Sequence, residues 1–138
     1  MKHKVPKYKF QNIMLIDDND LDNFINEKTI EANYFAKKVY ICSSGLSAVE
    51  FLNNMMIMDE QFSFSFPEVI FVDLNMPLMD GFKFIEYFVK NQQKKLNKPK
   101  IVILTSSVFP EDVKKAKDIS NEIIFLNKPL TKLMLDKL

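Results

Sequence analysis

Apolar residues come in short blocks whose spacing alternates between two kinds along the chain. Asn12–Ile16 (NIMLI) is a β-type run that ends at Asp17-Asp18. Asp20–Ala36 follows, with Leu21, Phe24 and Ile25 spaced to share one face of a helix. Lys38–Cys42 (KVYIC) predicts a second strand, and Gly45–Met58 a second helix through Leu46, Val49, Leu52 and Met56. Asp59–Pro67 reads as a loop, longer than most in such units. Val69–Val72 (VIFV) predicts a third strand ending at Asp73, and Gly81–Gln93 a third helix carrying Phe84, Ile85 and Phe88. The pattern closes with a strand at Lys100–Leu104 (KIVIL), a short helix at Pro110–Asp118, a strand at Ile123–Leu126 (IIFL) and a final helix at Leu130–Leu138. Pro110 is tolerated in the first helical turn, where the amide it lacks would have no partner within the helix.

Strands alternating with helices predict an α/β fold, a doubly wound parallel sheet with helices on both faces. The strands are almost wholly apolar, as strands covered on both sides must be. Ligands of such sheets bind beyond the carboxyl ends of the strands. The residues standing there are Asp17-Asp18 after the first strand, Asp73 after the third, Thr105 after the fourth and Lys128 after the fifth. Polar groups converge on one edge of an otherwise apolar sheet.

Composition narrows the chemistry. The 138 residues fit one domain, read as a basic tail over 1–10 and a domain over 11–138. No apolar run reaches the roughly 18 residues of a membrane span. The N-terminus lacks the apolar stretch of a secretory signal, so the cytoplasm is the expected location. Nineteen basic against eighteen acidic side chains leave a net charge of +1, which draws in neither nucleic acid nor a membrane. The single cysteine, Cys42, and the single histidine, His3, exclude a disulfide, a cysteine zinc cluster and a Ser-His-Asp triad. The two glycines, Gly45 and Gly81, form no Gly-rich phosphate loop. Carboxylates, hydroxyls and lysines are left. Asp17, Asp18 and Asp73 would repel one another unless a divalent cation neutralised them, and an all-oxygen donor set suits Mg²⁺. Lys128 and Thr105 would complete a pocket for a phosphoryl group, with a carboxylate as nucleophile.

These residues sit in longer motifs: Asp17-Asp18, Asp73-Leu74-Asn75-Met76-Pro77 with Asp80-Gly81, Thr105-Ser106, and Lys128-Pro129. In that order, each at its own strand end, they resemble the receiver domain of two-component response regulators, from Asn12 to about Leu130. The resemblance implies the CheY-like strand order 2-1-3-4-5. It implies Asp73 as phosphoacceptor, with Mg²⁺ held directly by Asp18, Asp73 and the Asn75 carbonyl, and by Asp17 largely through water. Lys128 would pair with a phosphate oxygen, and with Asp73 when phosphate is absent. Thr105, beside Ser106, would hydrogen-bond the phosphoryl group, and Phe125 stands where the family carries its switch aromatic. Met76 and Pro77 belong to the loop after the third strand, Gly81 fits the close turn opening the third helix after Asp80, and Lys128-Pro129 would be cis, a form that X-Pro bonds adopt cheaply. The implied partners are a sensor histidine kinase or histidine phosphotransfer protein as donor and a downstream protein as target. A phosphorylation-dependent homodimer is a further association of such domains. The resemblance is to the single-domain type, a signalling protein whose chemistry is confined to its own phosphorylation and slow dephosphorylation.

Other readings compete for the same residues. Asp18-Asn19-Asp20 imitates the Asp-x-Asp of haloacid-dehalogenase-like phosphatases, but that leaves Asp73, Asp80-Gly81 and Lys128-Pro129 unexplained. A pseudo-receiver that binds protein without taking phosphate is the second alternative, and Mg²⁺ titration discriminates it. Asp18-Asn19-Asp20-Leu21-Asp22 also imitates a calcium loop, but Asn23 replaces its glycine and Thr29 its glutamate. Asp20 is the expected cap of the first helix. Cys42 reads as core, and Met55, Met56 and Met58 as core filler or a soft patch beside the long loop. Lys90, Lys94, Lys95, Lys98 and Lys100 read as a solvated helix end and loop.

Overall fold

A computed structural model describes residues 5–57, 65–91 and 98–138. The strands are β1 (Phe10–Ile16), β2 (Ala36–Cys42), β3 (Val69–Val72), β4 (Lys100–Thr105) and β5 (Ile124–Asn127). The helices are α1 (Asp20–Ala32), α2 (Gly45–Ile57), α3 (Gly81–Asn91), α4 (Pro110–Ile119) and α5 (Lys132–Asp136). All strand pairs are parallel, and the sheet runs β2-β1-β3-β4-β5. Among the described residues no helix is long and apolar enough to cross a membrane. Met58, residues 59–64 of the expected loop, Gln92, Gln93, Lys94, Lys95 and the start of the tail, including His3, lie outside the described residues.

Strand alternation divides the core into two layers. Met14, Ile16, Ile70, Val72, Ile101 and Ile103 point to one face, where they meet Leu52 of α2, Phe84, Ile85 and Phe88 of α3 and Ala116 of α4. Ile13, Leu15, Val69, Phe71, Val102 and Leu104 point to the other, against Ile30 of α1 and Leu135 of α5. Register keeps the carboxyl ends level: Ile16 lies opposite Cys42 and Val72, and Val72 opposite Ile103. Asp17 and Asp73 therefore leave the sheet at the same height. Cys42 is buried in the first layer, and burial pushes its thiol up to about 11, which makes it a core residue rather than a nucleophile.

Helix α1 departs twice from the periodic reading. It ends at Ala32, not Ala36, because the Asn33 amide side chain bonds the Thr29 carbonyl at 2.8 Å and Tyr34 adopts φ 50°. That left-handed residue turns the chain back, and Ala36 already opens β2. The residue usual at such a position is glycine, and its absence hid the stop. The apolar stripe is also inverted. Leu21, Phe24 and Ile25 are 65%, 56% and 41% exposed, while Asn23, Asn26 and Ile30 form the buried face. Asparagines can be buried there because each bonds a backbone group just beyond a strand. The Asn23 amide donates to the Asp17 carbonyl at 2.8 Å, and the Leu130 amide donates to Asn26 Oδ1 at 3.2 Å. The helix cap is Asn19, which accepts from the Asp22 amide at 2.9 Å, and not Asp20.

At the mouth of α3 the Gly81 amide donates to the Leu74 carbonyl at 3.0 Å. A Cβ on Gly81 would lie 2.8 Å from Leu74 Cα and closer still to the Asp73 carbonyl oxygen. Glycine is required there by space, since no glycine in the chain has positive φ. Gly81→Ala is expected to lower unfolding free energy by about 2 kcal/mol through overpacking against backbone, read by urea denaturation.

Candidate functional site

Backbone hydrogen bonds hold the strand ends before any side chain acts. The Asp17 amide donates to the Cys42 carbonyl (3.1 Å), the Asp73 amide to Ile16 (2.9 Å) and the Lys128 amide to Thr105 (2.9 Å). Each polar residue is therefore the first one off a ladder anchored to its neighbour. Asp17, Asp18 and Asp73 offer carboxylate oxygens that all lie within 4.8 Å of one another. Asp17 and Asp73 are buried and Asp18 is exposed, so the cluster opens to solvent on one side.

Lys128 reaches into the cluster and makes the expected ion pair with Asp73, but two other carboxylates lie closer to it. Its Nζ lies 2.5 Å from Asp17 Oδ2, 2.8 Å from Asp22 Oδ2 and 3.6 Å from Asp73 Oδ1. Asp17 Oδ1 is taken by the Asn19 amide at 2.9 Å. Asp73 Oδ1 is left as a buried side-chain oxygen without a hydrogen-bond partner among the described residues. Burial and then the charge of Asp17 push the Asp73 carboxyl above its ordinary range, and Lys128 and the Thr105 hydroxyl only partly offset this. Burial alone would lower the Lys128 ammonium, but its bonds to Asp17 and Asp22 and the charges of Asp73 and Asp17 hold it above the usual lysine value.

Thr105 is fully buried at the end of β4, and its hydroxyl accepts from the Ser107 amide at 3.3 Å. Ser106 is exposed. Beyond it, Ser107 Oγ donates to Asp112 Oδ2 at 2.5 Å, and the Asn127 amide donates to the Ser107 carbonyl at 2.7 Å and the Thr105 carbonyl at 3.3 Å. This network ties the β4–α4 loop to β5. Phe125 is half-buried against the α2–α4 layer and lines a groove of about 650 Å³ with Val108, Pro110, Val113 and Lys114. Asn75 is exposed and Met76 is buried in the same layer. Pro77 precedes Leu78, whose φ is 67°. Asp80 Oδ1 accepts from the Lys83 amide at 2.9 Å and caps α3. The Lys128–Pro129 bond is cis.

The donor set suits a hard divalent cation: three carboxylates, no nitrogen or sulfur, and one buried oxygen without a partner. Behind the cluster, Asp17, Asn23, Asn26 and Asp73 share a recess of about 10 Å³ with Leu15, Ile16, Phe71 and Leu104, large enough for one water and for no organic substrate. Asp20 is not part of the acidic cluster, so the Asp-x-Asp pair of the phosphatase alternative is not what converges here.

The family model described as the response regulator receiver domain matches residues 13–137. The chain belongs to this family. A two-component response regulator from Cytophaga hutchinsonii has the same fold, with a TM-score of 0.81 and 30% identity over 93% of this chain and 92% of that one. The receiver domain of the histidine kinase CKI1 from Arabidopsis thaliana, solved with Mg²⁺, superposes with a TM-score of 0.77 at 20% identity, covering 89% of this chain and 86% of that one. At that identity the shared feature is the fold. Hybrid signal transduction histidine kinase L of Dictyostelium discoideum is 28% identical over 127 residues, which span 91% of this chain and 7% of that protein. Receivers are signalling domains that work with histidine kinases or phosphotransfer proteins.

Two features escaped the sequence reading. Asp22 was visible only as part of a false calcium loop, although from the first turn of α1 it reaches Lys128. In the Ser107–Asp112–Asn127 network, Asn127 reaches Ser107 from 20 residues away, a separation that no local pattern reveals.

The raised Asp73 carboxyl has a consequence for stability in metal-free protein. Between its unfolded and its higher folded value, the folded state binds more protons than the unfolded one. Stability from this group is therefore present at low pH and lost as pH rises through the folded value. Asp73→Asn is expected to raise the melting temperature by a few degrees at pH 7 in chelator, with the gain vanishing below the ordinary carboxylate range, read by calorimetry.

Proposed function

We propose that this receiver takes a phosphoryl group onto Asp73 from the phosphohistidine of a sensor histidine kinase or a histidine phosphotransfer protein, with Mg²⁺ as cofactor. The observation that carries this is the buried, unpartnered Asp73 Oδ1 beside two further carboxylates and one ammonium. Asp18, Asp73 and the Asn75 carbonyl would hold the cation, with Asp17 acting through water. When bound, the cation neutralises the acidic cluster and the incoming phosphate oxygens. An Asp73 carboxylate oxygen forms the new O–P bond as the donor N–P bond breaks, and the imidazole leaves with its electron pair. Lys128 takes a phosphoryl oxygen, and Thr105 turns its hydroxyl onto another with Ser106 beside it. The positioned charges perform the chemistry, so no catalytic histidine is required.

The signal is read on the face of α4 and β5. Thr105 is joined to Ser107, Asp112 and Asn127, and Phe125 sits under the same loop. A shift of Thr105 toward phosphate pulls on that network and repositions Phe125, changing the surface offered to a downstream protein or a second copy. We further propose a single-domain regulator working in the cytoplasm. Its output is protein contact rather than nucleic-acid or membrane binding.

The donor must be a protein that can approach α1. Leu21, Phe24 and Ile25 form an exposed apolar stripe on that helix, directly after the Asp17-Asp18 pair, and Lys28 Nζ lies 5.4 Å from the centre of the Phe24 ring. Such a stripe beside a charged site suits a helical partner surface.

Intact mass after incubation with acetyl phosphate and Mg²⁺ tests the site. One phosphoryl group is expected, mapped to Asp73, lost in Asp73→Asn and absent in chelator. Label on Asp18 would instead favour the phosphatase alternative, and label elsewhere would remove the assignment. The donor surface is tested with a phosphorylated histidine phosphotransfer protein. Phe24→Ala is expected to lower the ratio of protein-donor to acetyl-phosphate labelling rates about tenfold. An unchanged ratio would place the donor elsewhere.

A further inference from the structure

We infer that Asp22 is a positioning residue that gives Lys128 a resting place off the phosphoacceptor, so that a cation and Lys128 need not compete for the same carboxylates. This deepens the proposed function and rests on it. Three carboxylates surround Lys128 Nζ, and they are unequal. Asp17 at 2.5 Å and Asp22 at 2.8 Å are hydrogen-bonded partners, while Asp73 at 3.6 Å is beyond hydrogen-bond length. Two of the three, Asp17 and Asp73, belong to the acidic cluster that would face a cation. Asp22 does not. It projects from the first turn of α1, after the Asn19 cap.

Consider what a divalent ion does to this arrangement. It competes with the ammonium for Asp17 and Asp73, and it repels the ammonium directly. With Asp22 present, Lys128 keeps a charge-assisted bond while yielding the other two. Without it, the ammonium has no carboxylate except those of the cluster, and it opposes metal entry. Asp22 is itself held in place. Its amide donates to Asn19 Oδ1, and the Asn23 side chain next to it is bonded to the Asp17 carbonyl. The first turn of α1 is thereby fixed against the end of β1, so the carboxylate is offered at a set distance from Lys128.

The test is a double-mutant cycle on the whole chain, read as Mg²⁺ affinity by calorimetry without any phosphodonor. Asp22→Asn is expected to weaken Mg²⁺ binding about fivefold, the size of a partly buried ion pair. Asp22→Glu is expected to recover most of it. In a Lys128→Ala background the same Asn substitution is expected to change affinity by less than about twofold, because Asp22 then has no ammonium to hold. Equal losses in both backgrounds would mean that Asp22 acts on the metal by its charge alone, and no loss in either would mean that it does nothing there. Each of those results overturns the inference. A metal-free arm uses the Lys128 ammonium signal in nitrogen-15 spectra, expected to be sharp in the wild type and Asp22→Glu and broadened in Asp22→Asn. An ammonium signal unaffected by Asp22→Asn would overturn it as well. Failure of the wild-type chain to bind Mg²⁺ would sink the proposed function instead, and the metal-free arm would still decide whether Asp22 holds Lys128.

Discussion

The site depends on one lysine standing among more negative charge than it can neutralise. Lys128 faces Asp17, Asp22 and Asp73 within 3.6 Å, and Asp18 completes the acidic group nearby. In water such a cluster would spread apart. Here it cannot, because the Asp17, Asp73 and Lys128 amides are each fixed to a neighbouring strand. The sheet supplies the rigidity, and the surplus charge would favour a cation. Asp73 Oδ1, buried and without a hydrogen-bond partner among the described residues, is where that frustration is concentrated. Stability is given up at this point and recovered in the two apolar layers around it.

Charge also sets how much signal phosphorylation can carry. Driving a two-state element from 1:99 to 99:1 takes about 5.5 kcal/mol of differential stabilisation. A neutral hydrogen bond from Thr105 contributes roughly 0.5–1.5 kcal/mol, which falls well short. Contacts from Lys128 and Thr105 to a doubly charged group contribute about 1.5–3 kcal/mol each and together approach the requirement. Lys128 must therefore be free to change partners, and a resting place on Asp22 makes that change local. An ammonium locked wholly onto Asp73 would have to break its main ion pair before phosphate could arrive.

How far the sequence discloses this can be judged element by element. The inner strands β3 and β4 were legible because both their faces are buried, so VIFV and KIVIL announce themselves without alternation. The charged residues at their ends were legible because a strand-end rule says where to look. Helix α1 was not legible in two respects. Its apolar stripe is genuine, but it faces solvent, since Asn23 and Asn26 are more useful inward, where they satisfy the Asp17 carbonyl and the Leu130 amide. Periodicity reports that a helix has two faces and does not say which one the core takes. Its end was hidden because Tyr34 adopts a conformation usually given to glycine. Asp22 was hidden because ion pairs between residues 106 apart leave no local mark.

The same reasoning bears on why the proposed output face would lie at α4 and β5. Thr105 is the last residue of β4 and is fully buried, so it cannot move without moving what it is bonded to. Those bonds run outward: to the Ser107 amide, through Ser107 to Asp112 on α4, and through Asn127 back to β5. Asn127 bonds both the Thr105 and the Ser107 carbonyls, which makes the loop a braced unit rather than a flexible tether. A braced unit passes on a displacement that a flexible one would absorb. Phe125 lies two residues before Asn127 on the same strand and lines the groove beneath that loop. In the proposed function, a charge placed at the sheet edge would reach the α4–β5 surface through these few hydrogen bonds. The opposite layer, packed on Ile30 and Leu135, is joined to the same strand end through Lys128, whose amide bonds the Thr105 carbonyl and whose ammonium bonds Asp22 of α1.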